Sequence, residues 1–253
     1  MPRTPSESAR ARRLVAVAAA LTLPLTGLAQ TTDDGWTGQV TPYVWATGIG
    51  GTITPYTGAR TMSFSKSISQ TMKDADAAFF LSGYARKDRF VLLGDLSYSS
   101  SSKEGTVGGY VPGTARVRQR SLTLAAGYRA WAGENYHVDL LGGVRSWKIE
   151  GSVGLLNGLL QASQRESIFD PILALRANLS LGPRWSAIAY ADVGGFGVGS
   201  HATSQLLLTA NYQVNDQLYL SAGYRRLALD YRRGGTRLDV VMAGPVLGAT
   251  WRF

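Results

Sequence analysis

Cysteine is absent from the 253 residues. Its absence excludes disulfides, thiolate metal sites and lipoprotein anchoring through an N-terminal cysteine. Histidine occurs only twice, at His137 and His201. Acidic residues are outnumbered, 17 against 26 Lys and Arg, for a formal charge of +9. The basic balance does not point to nucleic acid. The Arg residues are spread through alternating segments rather than gathered on a helix or beside stacking aromatics. No apolar run reaches the roughly 20 residues that a spanning helix needs. Long helical periods are also scarce, whereas Gly (30) and Tyr (12) are plentiful, a composition that suits a β-barrel.

The N-terminus reads as an export signal. Arg3, Arg10, Arg12 and Arg13 precede the apolar run Leu14 to Leu25, and Gly27-Leu28-Ala29 supplies small residues for cleavage. A secretory signal peptide over 1–29, cleaved after Ala29, is predicted, with one barrel domain over 30–253. Four Arg and Glu7 leave with that segment, which lowers the formal charge to about +6.

The C-terminus is more specific. From Val241 to Phe253 every second residue is apolar or aromatic: Val241, Ala243, Pro245, Leu247, Ala249, Trp251 and Phe253. Period two means a strand between two environments. The ending Trp251-Arg252-Phe253 resembles the C-terminal assembly signal of Gram-negative outer-membrane proteins. The resemblance implies that assembly machinery reads Trp251 and Phe253. The mature chain divides into about ten segments near the 9–11 residues a tilted barrel strand needs. The first runs from Thr37 to Ile49. Four hairpins follow: Asp76 to Ala85 with Phe90 to Ser99, Arg118 to Trp131 with Tyr136 to Lys148, Pro171 to Leu181 with Trp185 to Val198, and Gln205 to Val214 with Leu218 to Tyr231. Leu238 to Phe253 closes the count. The fold class is therefore all-β, a transmembrane antiparallel up-and-down β-barrel of ten strands, with eight or twelve as alternatives. Twelve would follow if the first long loop hid another hairpin.

Short polar turns belong on the periplasmic side and long connections on the cell surface. The long ones are Gly50 to Ala75, Ser100 to Val117 and Ile149 to Asp170. Phe64, Ile68 and Met72 lie at helical spacing within Ser63 to Ala75, predicting a short helix on the barrel rim. Leu155, Leu156, Leu159 and Leu160 suggest a second surface turn. Tyr84, Tyr98, Tyr128, Tyr136, Trp185 and Tyr212 fall near strand ends, where an aromatic girdle would sit. Pro42 and Pro245, each lacking an N–H, are expected to force a bulge at the barrel seam.

Alternation divides the strands into a lipid set, such as Leu122, Leu124, Ala126 and Tyr128, and a lumen set. Asp95, Arg129, Asp139, Arg145, Arg176, Asp192 and Arg225 fall on the lumen side as a charge network. Arg129 is expected opposite Asp139, and Arg176 opposite Asp192, since opposite charges across an antiparallel pair attract. Such a network either selects solutes or simply fills the bore. At Arg225-Arg226 one of two adjoining cations must point outward unless a bulge intervenes.

Catalytic readings are thin. His201 lies near Ser200 and Ser204, with Glu166, Asp170 and Asp230 as acids on the same rim. A Ser–His arrangement still needs an oriented third group and an oxyanion site. Ser63-Phe64-Ser65-Lys66 matches S-x-x-K, a spacing that Ser-rich sequence produces easily. Gly195-Phe196-Gly197-Val198-Gly199 lacks the strand–helix context of a phosphate loop. No catalytic, cofactor or metal residues are assigned.

Pro42-Tyr43-Val44-Trp45, Asp192-Val193-Gly194-Gly195-Phe196-Gly197, Gly223-Tyr224-Arg225, Gly244-Pro245-Val246-Leu247-Gly248 and the Trp-Arg-Phe ending resemble a group of small proteobacterial outer-membrane proteins. The resemblance implies a cell outer-membrane barrel and carries no catalytic residues across. Omptin proteases also form ten-stranded barrels, but their acidic and His catalytic groups cannot be placed on this chain. The leading expectation is porin-like passage of small solutes through a narrow, ion-paired lumen. The alternative is a closed structural or adhesive barrel acting through surface loops, and a lipid-modifying enzyme or protease comes third. Expected partners are outer-membrane lipids, lipopolysaccharide and the assembly machinery.

Overall fold

The computed structural model describes residues 35–107, 111–155 and 160–253. The predicted signal segment and its expected cleavage point lie outside them, as do Leu156 and Leu159. Ten antiparallel strands form the wall. They are β1 (Trp36–Trp45), β4 (Ala75–Lys87), β5 (Phe90–Val107), β6 (Val111–Ala132), β7 (Tyr136–Leu155), β8 (Leu160–Ser180), β9 (Trp185–Gly194), β10 (Ala202–Gln213), β11 (Leu218–Arg233) and β12 (Thr236–Arg252). Each pairs with the next, and β1 pairs with β12, so the wall closes without a free edge. The ladder continues to the last residue. The Gly38 amide donates to the Phe253 carbonyl at 2.8 Å, and the Phe253 amide to the Gly38 carbonyl at 3.0 Å.

The first long connection does contain a hairpin, β2 (Gly48–Thr54) and β3 (Met62–Lys66). It does not widen the wall to twelve strands. β2 prolongs β1 against the outer half of β12, and β3 pairs with β2. Phe64 is therefore a strand residue. The rim helix α1 is shorter than its apolar spacing suggests, Ile68–Asp74, with Ser67 and Gln70 forming a reciprocal capping box.

Pro42 and Pro245 produce no bulge. One register runs from Arg237↔Thr54 to Gln39↔Arg252, through both prolines. What changes is the partner on the other side of the β1/β2 line, which is β4 below the break at Ala46–Thr47 and β3 above it. Pro245 still accepts a hydrogen bond from the Ala46 amide at 3.0 Å. Losing one donor therefore costs a rung without shifting the strand.

Two of the long connections are largely strand. β5 pairs with β6 out to Val107↔Val111, and β7 with β8 out to Leu155↔Leu160. Farther out, the adjoining residues Lys103 and Glu104 are both exposed, so the two faces of the strand meet water. Such segments carry no apolar alternation, which is why they read as loops. At the other wall the β11–β12 hairpin closes through Gly234 (φ 58°) and Gly235 (φ 86°). Both lie in the left-handed region that a two-residue primed turn demands.

The exterior carries the apolar band. Leu122, Leu124, Leu173, Leu175, Leu206, Leu208 and Leu247 are all exposed. Tyr128, Trp131, Tyr136 and Trp185 are exposed near the short turns. Tyr84 is not a girdle residue, because it points into the barrel. Arg225 is buried and Arg226 exposed, with the β11 ladder unbroken, so the adjoining cations simply take opposite faces. An apolar exterior around a polar interior is the arrangement a bilayer imposes.

Candidate functional site

The interior is built in layers. Nearest the cell surface, Trp45, Phe80, Trp147, Ile168, Leu227, Leu229, Tyr231, Val240 and Met242 form an apolar cluster, joined by Phe64 and Ile49 from the added hairpin. These are inward positions of the wall strands and of the added hairpin, so this part of the bore is packed like a soluble core.

Beneath it lies a polar belt that spans the barrel. Arg145 grips Asp192 with both terminal nitrogens, at 2.9 and 2.5 Å, and donates its Nε to Thr123 at 3.0 Å. Arg225 donates to Asp95 at 3.1 Å, to Gln205 at 2.7 Å and to the Tyr43 hydroxyl. Tyr43 in turn donates to Asp95 at 2.8 Å. Gln205 also accepts from Arg145 at 3.5 Å, so one amide joins the two ion pairs. The belt draws on β1, β5, β6, β7, β9, β10 and β11, which ties opposite walls together. Arg145 and Asp192 are almost wholly inaccessible, at 1% and 3%. A bidentate geometry is what offsets the desolvation of such charges.

A second cluster lies toward the short turns. Arg129 donates its Nε to Asp139 at 3.0 Å, Tyr84 donates to the other carboxylate oxygen at 2.8 Å, and Arg176 approaches it at 3.5 Å. The Arg176 guanidinium also stacks 4.2 Å from the Tyr84 ring centre. All seven sequence-predicted charges thus lie inside the barrel, in two groups. Arg129 stands opposite Asp139. Arg176 does not stand opposite Asp192. It faces Tyr190 on β9 and Asp139 on β7, while Asp192 faces Ala174 and Gln205. The turn at Gly182-Pro183-Arg184 centres on Pro183, one residue before the centre the expected pairing requires, so Arg176 falls two residues short of Asp192. Asp192 goes to Arg145 instead.

Tyr43, Tyr84, Thr123 and Gln205 complete the clusters, and charge-based reading passes over them. Their signal was alternation alone, since each shares a strand face with a charged or polar lumen residue. Between the layers a cavity of about 110 Å³ is lined by Thr41, Tyr84, Tyr190, Thr209, Asn211 and Ser221, among others. It is large enough for a few waters.

The catalytic candidates do not assemble. The Ser200 amide donates to Asp170 at 2.7 Å, and both residues are buried. His201 is exposed, and only its backbone amide bonds, to the Asp230 carbonyl. Lys66 pairs with Asp74 at 2.8 Å. Ser63 and Lys66 are three residues apart on β3, so they point to opposite faces. Among the described residues no group of His, Asp and Glu is arranged to hold a metal.

Neither a protein-family model nor a curated protein sequence matches the chain. Solved structures do. The outer-membrane protease OmpT from Escherichia coli aligns with a TM-score of 0.57 at 10% identity, over 88% of this chain and 98% of that one. The translocator domain of the autotransporter NalP from Neisseria meningitidis aligns at 0.49 and 15% identity, over 97% and 95%. The attachment protein Ail of Yersinia pestis aligns at 0.37 and 11%, over 87% and 99%. At such identities the likeness to OmpT concerns the fold alone. The chain is a bacterial outer-membrane β-barrel, and its lipid-facing exterior locates it in that membrane.

Proposed function

We propose that this protein is a closed barrel that acts at the cell surface, without catalysis and without passing solutes through its lumen. The observation that carries the reading is the layered bore. An apolar cluster covers a belt in which Arg145, Asp192, Gln205, Arg225, Asp95 and Tyr43 bond from wall to wall. Opening a path would break buried ion pairs, at a cost of several kcal/mol each. Meanwhile β5 to β8 run 18 to 22 residues, about twice what the membrane requires. They project as an antiparallel sheet with both faces available for a partner. This favours the structural or adhesive alternative over the porin-like expectation.

The test is single-channel conductance of the refolded mature protein in a planar bilayer. Folding is checked separately by its heat-dependent gel mobility. Folded, silent protein is the expected result. Steady conductance with a selectivity that changes on Arg176→Ala would overturn the reading and restore the pore.

A further inference from the structure

The outer surface of β5 to β8 carries cations that barrel closure does not explain. Moving outward along β6, the lipid-facing Leu124 and Leu122 are followed on the same face by Arg120, Arg118 and Arg116, all exposed. Register adds their neighbours. Arg120 lies between Tyr98 and Lys148, and Arg118 between Ser100 and Glu150. The like-charged pair Arg120↔Lys148 stands directly across an antiparallel ladder, an arrangement that destabilises a sheet. Nearby acids do little to relieve it. Glu150 is engaged by Arg165 at 3.1 Å. Asp76 accepts from Ser102 at 2.7 Å, and Glu104 lies farther out, across from Thr114. Among the described residues no carboxylate lies within ion-pair distance of Arg116, Arg118, Arg120 or Lys148, and Arg120 sits 5.8 Å over the Tyr98 ring.

Alternate residues on a strand are separated by about 6.6 Å, and neighbouring strands by about 4.8 Å. Arg118, Arg120 and Lys148 therefore converge on a patch the size of one or two phosphate groups. The patch begins where the apolar band ends, at the row Leu96, Leu122, Ser146 and Phe169. Below it, Gly83, Gly94, Ala126 and Gly142 form the floor of an open exterior groove of about 610 Å³, with Leu92 and Leu124 along it. Small residues on a lipid-facing wall leave room for a chain to lie against the barrel.

We infer that this face is a binding site for a phosphorylated glycolipid of the outer leaflet. Its phosphates lie on Arg118, Arg120 and Lys148, and an acyl chain lies along the glycine-floored groove. The charge complementarity resolves the like-charge pairing, and the groove continues the site into the membrane. The site is independent of whether the lumen conducts.

The experiment titrates the refolded mature protein in detergent micelles with bisphosphorylated lipid A, following the thermal unfolding midpoint. Parallel titrations use dephosphorylated lipid A and inorganic phosphate. The bisphosphorylated lipid is expected to raise the midpoint at concentrations where the other two do not. R118Q/R120Q/K148Q, shown folded by gel mobility, loses at least tenfold in affinity, whereas R233Q/R237Q on the opposite hairpin binds as wild type. Lys148→Gln alone separates binding from folding, and it decides the matter if the triple variant does not fold. Relief of the like-charge pair raises its midpoint without lipid by about 1–3 °C, while its lipid affinity falls. Equal binding of dephosphorylated lipid A, equal stabilisation by inorganic phosphate, or unchanged affinity in the folded variants would each overturn the assignment. So would an equal loss in R233Q/R237Q.

Discussion

Replacing Asp192 by Asn tests the belt at its most buried pair. Both carboxylate oxygens of Asp192 accept from Arg145, at 2.9 and 2.5 Å, and the two side chains are 0% and 1% exposed. Asn keeps the volume but removes the charge, and it turns one oxygen into an NH₂ that faces a guanidinium nitrogen. Arg145 would keep Thr123 and a long contact to Gln205, neither of which is anionic. Breaking one side of a buried pair costs about 3–5 kcal/mol, because the remaining charge is left uncompensated. A loss of about 4 kcal/mol corresponds to roughly a thousandfold in the unfolding equilibrium. The double variant D192N/R145M removes the stranded charge and fills its space with an apolar chain. It should recover most of the loss, since buried pairs exchanged for apolar residues are often neutral. The assay is reversible denaturant unfolding of the mature protein in lipid vesicles, read as a double-mutant cycle. A D192N loss below about 1 kcal/mol, or a double variant no more stable than D192N, would refute the argument that this pair holds the walls together.

Two further expectations concern the wall and the rim. A Cβ built on Gly127 would stand 1.8 Å from the Leu140 carbonyl oxygen on the neighbouring strand, so Gly127→Ala must displace β6 from β7. A loss of about 1–3 kcal/mol is expected, read as a lower midpoint in the same unfolding assay. Asp74 on α1 has its pKa lowered, chiefly by the hydrogen bond from Lys66. A depressed carboxylate contributes stability above its unfolded pKa of about 3.9 and loses it as pH falls through the folded value. Amide exchange across Ile68–Asp74, corrected for the intrinsic pH dependence, should show reduced protection only below about pH 4. Asp74→Asn should abolish that dependence.

Strand alternation, the aromatic ending and the charged inward positions are all legible in the sequence, for one physical reason. A wall between lipid and a filled interior must change polarity at every residue, and that period is written locally. Ser121-Leu122-Thr123-Leu124 and Leu208-Thr209-Ala210-Asn211 show it directly, and so do the inward positions of Asp95, Asp139 and Arg145. Where both faces meet water the period vanishes, so the outer halves of β5 to β8 read as loops. The pairing of charges was legible only where a turn fixed it. Arg129 and Asp139 flank a short turn and do pair, although the ladder shifts register between Arg129 and Trp131. Arg176 and Asp192 also flank a short turn, yet they miss by two residues. Arg145 and Asp192 come from β7 and β9, and Arg225 and Asp95 from β11 and β5. Those meetings depend on barrel curvature and strand stagger, which bring side chains of strands that do not pair within reach of one another. Prolines 42 and 245 show the same division. The sequence determined that each lacks a donor, but only the closed ladder decided that a rung could be lost without a bulge. The like-charged pair Arg120↔Lys148 likewise exists only once β6 and β7 are in register.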